Sequence, residues 1–217
     1  MKYSQSICAL NSYESLKDLD YLYQNGFENF HLDFMDFHYV NSFGLKLDDV
    51  IWLRNRYQKA IFEAHCMCKY SDALIQKLVE IKINKISLPS SEFSVENILK
   101  IKKEYPNTKF GIMIESKDKI EDIKDQIKML DYVVLMTIDI IGGVGQKLNP
   151  ILFEKIPKIK KINKNIEIIS DGGLRSENVL EFKRWGVDIA VGGSILRNYI
   201  KEYNNFNDFW EKYVLIK

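Results

Sequence analysis

The stretch His31-Leu32-Asp33-Phe34-Met35 decides the fold of this 217-residue chain, because apolar and functional side chains alternate strictly along it. Successive side chains of a β-strand point to opposite faces, so the odd-numbered and even-numbered residues of this stretch face opposite ways. One face carries Phe30, Leu32 and Phe34, and the other carries His31, Asp33 and Met35. We expect the apolar face to meet covering helices and the second face to point into a barrel.

The same kind of strand recurs along the chain, each time followed by a segment with helical periodicity. The predicted strands are Ser4–Leu10, Asn29–Met35, Ala60–Cys66, Lys85–Leu88, Lys109–Ile114, Tyr132–Thr137, Ile166–Asp171 and Ile189–Gly192. Alternation of this kind predicts parallel strands with right-handed crossovers. Eight units in roughly 200 residues favour an α/β fold, one (β/α)₈ TIM barrel domain spanning residues 1–217. A doubly wound open sheet built from the same units is the alternative.

Three segments between the strands carry specific local signals. A helix with Leu19 and Tyr23 on one face is expected to end at Gly26, and another is expected to begin after Ser94. Ser176 is expected to be the N-cap of a helix that runs through Trp185. The lysine-rich stretch 155–164 is interpreted as a solvated outer helix face, not as an anion-binding patch.

Composition excludes several classes of protein. The formal net charge is +1, so no global field favours nucleic acid or an anionic membrane surface, and neither is expected as a partner. No apolar run approaches the ~20 residues of a membrane helix, and the N-terminus shows no signal-peptide pattern. Three cysteines at irregular spacing favour a reducing compartment, so a cytoplasmic location is expected. The oligomeric state stays open between a monomer and a homo-oligomer.

Two of the three histidines fall near the ends of predicted strands, where barrel enzymes carry their sites. His31 and Asp33 share one face of the second strand, His65 lies on the third strand, and Asp171 ends the seventh. Two imidazoles and two carboxylates at one barrel mouth predict a divalent metal site. A buried histidine or aspartate at a strand end is also commonly a hydrogen-bonded structural group, so that alternative remains open for each residue.

Glycines follow the last three predicted strands. They are Gly142, Gly143 and Gly145 around Val144, then Gly172 and Gly173, and then Gly192 and Gly193 before Ser194. Barrels commonly bind phosphate with backbone N–H groups of these late loops, and glycine permits the close approach that such loops need. Phosphate-binding loops are therefore expected in the C-terminal half.

Taken together, these motifs resemble the ribulose-phosphate 3-epimerase family. The stretch 31–40 is similar to that family's His-x-Asp-x-Met-Asp-Gly-His-Phe-Val signature, and Ser6-Ile7 is similar to its Ser-Ile-Leu-Ser start. His65-Cys66-Met67 resembles its His-Leu-Met, and Ser170-Asp171-Gly172-Gly173 resembles its Val-Asp-Gly-Gly. The spacing agrees over almost the whole chain.

The resemblance implies an isomerase that inverts C3 of a phosphorylated ketose through an enediolate, with D-ribulose 5-phosphate and D-xylulose 5-phosphate or a related ketose phosphate as its substrates. It implies one divalent ion, Zn²⁺, Fe²⁺, Mn²⁺ or Co²⁺, bound by His31, Asp33, His65 and Asp171, with the two aspartates also acting as an acid/base pair. The implied substrate and phosphate contacts are Ser6, Gly142, Gly143, Val144, Gly145, Gly172, Gly173, Gly193 and Ser194. Met35, Met67 and Met136 would line the site, although each is equally expected as barrel core.

The chain departs from the family in its substrate loops. The residues after Asp36 lack the family's glycine and proline, the loop 138–146 lacks its Pro-Gly, and Glu115-Ser116 replaces an Asn-Pro pair. These changes suggest retained chemistry on an altered ketose. A non-catalytic phosphosugar-binding barrel is one alternative. An enzyme of the hexulose-phosphate synthase type is another, but Asp33-Phe34-Met35-Asp36 lacks the lysine of its Asp-x-Lys-x-x-Asp run.

Overall fold

Eight parallel strands close into a barrel in the computed structural model, which describes residues 1–10, 15–143, 145–196 and 206–214. The strands are β1 (Lys2–Ser6), β2 (Asn29–Met35), β3 (Ile61–Met67), β4 (Lys85–Pro89), β5 (Lys109–Ile114), β6 (Tyr132–Met136), β7 (Glu167–Asp171) and β8 (Ile189–Gly192). Because β1 pairs with β8, through Lys2 and Ile189 among others, the sheet has no free edge. The predicted (β/α)₈ barrel is confirmed, and the open-sheet alternative is wrong.

Helices surround the strands. In the described residues they are α1 (Ser15–Gln24), α2 (Leu47–Arg56), α3 (Asp72–Glu80), α4 (Val95–Glu104), α5 (Lys124–Met129), α6 (Lys155–Ile162), α7 (Val179–Arg184) and α8 (Phe206–Val214). Short 3₁₀ helices, Pro150–Glu154 and Ser176–Asn178, precede α6 and α7. Ser94 caps α4 as expected, since its side chain accepts a hydrogen bond from the Asn97 backbone N–H. None of the described helices is long and apolar enough to cross a bilayer.

Two apolar layers follow from the alternation of side chains along each strand. Even-numbered residues of β2, such as Phe30 and Leu32, are fully buried in the layer between strands and helices. A second layer inside the barrel contains Met67, Met113 and Met136. Cys66 belongs to the outer layer and Met67 to the inner one, so this part of β3 alternates as predicted.

The first strand was predicted at Ser4–Leu10, but it ends at Ser6. Its neighbour β8 ends at Gly192, which pairs with Gln5, so no ladder is available on that side beyond this point. The chain then turns, with the Leu10 N–H donating to the Ile7 carbonyl. Residues 7–10 therefore border the barrel mouth.

Two helix predictions are also wrong in part. Ser176 begins a 3₁₀ turn and does not cap α7, because its hydroxyl donates to Glu177. Lys155 is not a solvated residue of the lysine-rich stretch: its ammonium group donates to the backbone carbonyls of Glu115, Ser116 and Asp118. It thereby fixes the loop after β5.

Candidate active site

The predicted metal ligands meet at the carboxyl end of the barrel. Asp33 of β2 and His65 of β3 are direct register partners, so their side chains lie side by side on the inner face. Asp171 is the last residue of β7, and β8 and β1 separate it from β2 around the barrel. One donor atom from each of His31, Asp33, His65 and Asp171 lies within 4.8 Å of the other three. The structure thus brings all four residues together.

The distances within the cluster fit a shared ion. The Nε2 atom of His31 lies 3.1 Å from Asp33 Oδ1, 3.1 Å from His65 Nδ1 and 3.6 Å from Asp171 Oδ2. A neutral imidazole nitrogen has one proton or one lone pair, so it cannot satisfy three such neighbours by hydrogen bonding. A cation between two imidazole nitrogens and two carboxylate oxygens can, and Zn²⁺ and other first-row divalent ions accept this donor set.

Burial makes the charges of the cluster interdependent. Although burial disfavours a charged ring, hydrogen bonds to Asp171 and Asp33 raise the pKa of His65 to about 9. The pKa of His31 lies well above its ordinary value because Glu63, Asp33 and Asp171 outweigh the same penalty. Burial also opposes the charge of Asp33, yet the two imidazoles hold the pKa of its carboxyl far below the usual range. The ring nitrogens of His31 and His65 that face the cluster therefore hold either protons or a metal ion in their place.

Two further side chains support the cluster. The Ser6 hydroxyl donates to Asp33 Oδ2 at 2.9 Å, which places this predicted substrate contact beside a ligand. Glu63, which was not predicted, contacts the Nδ1 atom of His31 on the side away from the cluster. A signal for it was present in the sequence: Glu63 has the same strand parity as His65, in a strand that is otherwise apolar.

A cavity of about 490 Å³ opens above the cluster. Most of the predicted site residues line it: Ser6, Asp33, Met35, Met67, Met136, Gly142, Gly143, Gly145, Asp171, Gly172, Gly173, Gly193 and Ser194. Val144 lies outside the described residues. His31 and His65 are fully buried beneath the floor of the cavity. Sequence reasoning missed Cys8, Ile138, Gln146 and Arg175, which also line the cavity.

Glycine is required where two late loops touch. Gly173 has a φ of +77°, and a Cβ there would come within 2.5 Å of the Leu148 Cα atom. Thr137 supports the same turn, since its hydroxyl donates to the Gly172 carbonyl at 2.7 Å. Arg175 links the loops, with its guanidinium donating to the Gln146 carbonyl at 3.2 Å. The loops after β6 and β7 thus form one wall of the cavity.

The loops after β2 and β5 also contact each other at the carboxyl end of the barrel. The Tyr39 hydroxyl donates to Glu115, and Lys117 lies 3.2 Å from the same carboxylate. Glu115 is one of the residues at which the chain departs from the family pattern. The contact with Tyr39 is therefore made by a residue that differs from the family's. The arrangement as a whole offers two carboxylates, a cation site and a glycine-lined wall around one cavity.

The chain is similar in sequence to proteins named ribulose-phosphate 3-epimerase. The chain is 28% identical over 204 residues to a ribulose-phosphate 3-epimerase of Buchnera aphidicola subsp. Baizongia pistaciae, covering 91% of this chain and 89% of that protein. It is 30% identical over 176 residues to the ribulose-phosphate 3-epimerase of Aquifex aeolicus, covering 79% of this chain and 78% of the relative.

Solved structures share the fold at low sequence identity. The 3-hexulose-6-phosphate synthase of Salmonella typhimurium superposes with a TM-score of 0.72 at 13% identity, over 100% of both chains. KGPDC from Streptococcus mutans gives a TM-score of 0.71 at 10% identity, over 99% of this chain and 98% of that one. At such identities the likeness supports the barrel fold alone.

The model of the ribulose-phosphate 3 epimerase family, by contrast, matches residues 2–197. The chain is therefore an isomerase that belongs to the ribulose-phosphate 3-epimerase family.

Proposed function

We propose that this protein is a metal-dependent epimerase that inverts C3 of a phosphorylated ketose, D-ribulose 5-phosphate or a closely related ketose phosphate. One observation carries the proposal: the cluster of four candidate ligands lies at the base of a cavity that Asp33 and Asp171 line and whose wall is made by glycine-rich loops. A sugar phosphate needs both features, one for its carbonyl end and one for its phosphate. Membership of an epimerase family argues against a non-catalytic barrel.

Asp33 and Asp171 are the proposed acid/base pair. They project from β2 and β7, which are not neighbours in the barrel, so they approach the cavity from different directions. A carboxylate on one face of the sugar removes the C3 proton, which leaves an enediolate. The carboxylic acid on the other face then returns a proton to C3, and the centre is inverted. Each positioned acid or base typically contributes ~10²–10⁴-fold to the rate.

The donor set suits one divalent ion, Zn²⁺, Fe²⁺, Mn²⁺ or Co²⁺. When bound, it would supply Lewis-acid polarisation of the substrate carbonyl. The residues around it have separate tasks. Ser6 orients Asp33 through the hydrogen bond to Oδ2. Met35, Met67 and Met136 line the cavity with apolar, polarisable surface, which keeps water from the deprotonated carbon.

The phosphate is assigned to the wall formed by the loops after β6, β7 and β8. Gly142, Gly173 and Gly193 let backbone N–H groups approach an anion closely, and all three line the cavity. Among the described residues that line the cavity, Arg175 is the only lysine or arginine, which adds a positive charge to this wall. We place the enzyme in the cytoplasm, where sugar phosphates are metabolised and its three free cysteines stay reduced.

Metal analysis followed by a substrate panel tests the proposal. The purified protein is analysed for bound metal, stripped with a chelator and reloaded separately with Zn²⁺, Fe²⁺, Mn²⁺ and Co²⁺. We expect epimerisation of D-ribulose 5-phosphate, or of another ketose phosphate in the panel, only after reloading. Free D-ribulose is expected to react far more slowly, since it lacks the phosphate. Full turnover by the stripped protein, or no turnover of any ketose phosphate by the reloaded one, would contradict the proposal.

A further inference from the structure

Glu63 lies beneath the candidate metal cluster and is almost fully buried, with 4% of its surface exposed. It belongs to β3, two residues before His65, so both side chains point into the barrel. Its Oε2 atom contacts His31 Nδ1. A buried carboxylate needs a hydrogen-bond or charge partner. The partner of Glu63 is the ring of His31, which is one of the proposed metal ligands.

The two ring nitrogens of His31 face different groups. Nε2 lies among the donor atoms of Asp33, His65 and Asp171, whereas Nδ1 faces Glu63. An ionised carboxylate can only accept a hydrogen bond, so the nitrogen that faces it carries the proton. When the ring is neutral, as metal binding requires, the remaining nitrogen, Nε2, presents its lone pair to the cluster. The contact with Glu63 thus selects the tautomer that a metal requires.

Glu63 is itself held in place by two hydroxyl groups. Ser87 donates to Oε1 at 2.9 Å, and Tyr132 donates to the same oxygen at 3.4 Å. Both residues are fully buried, one on β4 and the other on β6. With Oε1 occupied, Oε2 remains directed at His31. The carboxylate is therefore fixed by elements that do not themselves carry the proposed metal ligands.

We propose that Glu63 is a positioning residue that orients His31 and fixes its tautomer for metal binding at Nε2. Carboxylate–histidine–metal arrangements of this kind commonly tune metal affinity, and loss of the outer carboxylate typically costs about 10- to 100-fold in affinity. The inference rests on the metal of the proposed function, not on the identity of its substrate. Among the described residues, His65 has no such support, since its contacts with Asp33 and Asp171 both involve Nδ1, the nitrogen that faces the cluster.

The test is the affinity of the protein for Co²⁺, measured by competition with a chelator and by the visible absorption of the bound ion. Glu63→Gln keeps the size of the side chain, but its amide can donate to Nδ1 and move the ring proton to Nε2. We expect this variant to bind Co²⁺ about 10- to 100-fold more weakly than the wild type, with a changed visible spectrum. Glu63→Asp, which restores a carboxylate, is expected to recover part of the affinity.

Glu167→Gln is the matched control. Glu167 also points into the barrel, on β7, but it pairs with Lys85 and not with a proposed ligand. It is expected to keep wild-type Co²⁺ affinity, and circular dichroism of the metal-free variants checks that each is folded. Wild-type affinity and spectrum for Glu63→Gln, or an equal loss for Glu167→Gln, would overturn the role of Glu63 alone. A wild-type protein that binds no divalent ion would overturn the metal-dependent function as well.

Discussion

The Nε2 atom of His31 lies 3.1 Å from the Nδ1 atom of His65, and neither imidazole is exposed to solvent. Two buried ring nitrogens at this separation, with carboxylates on either side, compete for the same proton or cation. The pKa of His65 is raised to about 9, so its ring carries a proton at neutral pH unless a metal displaces it. Metal binding must therefore release protons.

The affinity for a divalent ion is accordingly expected to rise between pH 6 and pH 9. The pKa of His65 is raised to about 9, so well below that pH its ring holds the proton that opposes metal binding. The ring loses this proton as the pH approaches 9. In that range each displaced proton strengthens binding by about tenfold per pH unit. Isothermal titration with Mn²⁺ at several pH values measures the slope.

His38 supplies the control for this titration, because it is exposed and lies outside the cluster. His38→Asn is expected to keep both the affinity and its pH dependence, whereas His65→Asn is expected to abolish tight binding. An affinity for Mn²⁺ that stays constant from pH 6 to pH 9 would contradict the competition between proton and metal.

Substitution of Gly173 by alanine is expected to destabilise the cavity wall. Gly173 and Gly145 have nearly the same φ, +77° and +78°, so alanine meets the same backbone strain at both, about 1–2 kcal/mol. Only at Gly173 would the added Cβ overlap the Leu148 backbone. We expect Gly173→Ala to lower the free energy of unfolding by a further ~1–3 kcal/mol relative to Gly145→Ala, as overpacking typically does. Urea unfolding of both variants measures the difference, and equal midpoints would show that the loops do not meet there.

Arg175→Ala is expected to weaken binding of the phosphorylated substrate. Arg175 lines the cavity, and its guanidinium donates to the Leu174 and Gln146 carbonyls. A guanidinium has five N–H donors, more than these two bonds use, so it can also bind a phosphate. A hydrogen bond to a charged group contributes about 1.5–3 kcal/mol, so KM should rise roughly 10- to 100-fold with a smaller change in kcat. Arg184→Ala, an exposed substitution at the end of α7, is the control. An unchanged KM for Arg175→Ala would remove Arg175 from the phosphate site.

Cys8 is expected to react slowly with alkylating agents although it borders the cavity. Burial and the nearby Asp33 raise the pKa of its thiol to about 12, so the thiolate is scarce at neutral pH. Labelling with iodoacetamide at pH 8 should be at least ~10-fold slower than that of free cysteine. Mass spectrometry of the peptide that contains residue 8 gives the rate, and protein unfolded in urea should react at the free rate. Rapid labelling of the folded protein would contradict the raised pKa of the Cys8 thiol.

The sequence was informative wherever a local pattern determined the structure. Eight alternating strand and helix segments predicted the barrel. Strict alternation in β2 predicted the inward side of His31 and Asp33, because strand parity is a property of neighbouring residues. Glycine pairs marked the loops of the cavity wall for the same reason. These features depend on few residues, so one chain was enough to predict them.

The parts that were missed depend on residues distant in sequence. The end of β1 is determined by the length of β8, which is almost two hundred positions away along the chain. The contact of Glu63 with His31 joins two strands, and the amino group of Lys155 reaches the loop after β5. No local pattern encodes which distant group such a side chain meets, so only the folded chain shows these contacts.

The most direct test uses the metal-loaded enzyme with D-ribulose 5-phosphate in deuterated water. Nuclear magnetic resonance of the sugar phosphates then measures the exchange of the hydrogen at C3 for deuterium. Inversion by two carboxylates predicts one deuterium at C3 of the epimerised product. Asp33→Asn and Asp171→Asn should each slow product formation by at least ~10²-fold, and the double variant should show no exchange. Asp125→Asn, a matched substitution of an exposed aspartate on α5, is the control that is expected to keep full activity. Exchange that persists in the double variant, or product formed without deuterium at C3, would contradict the assignment of Asp33 and Asp171.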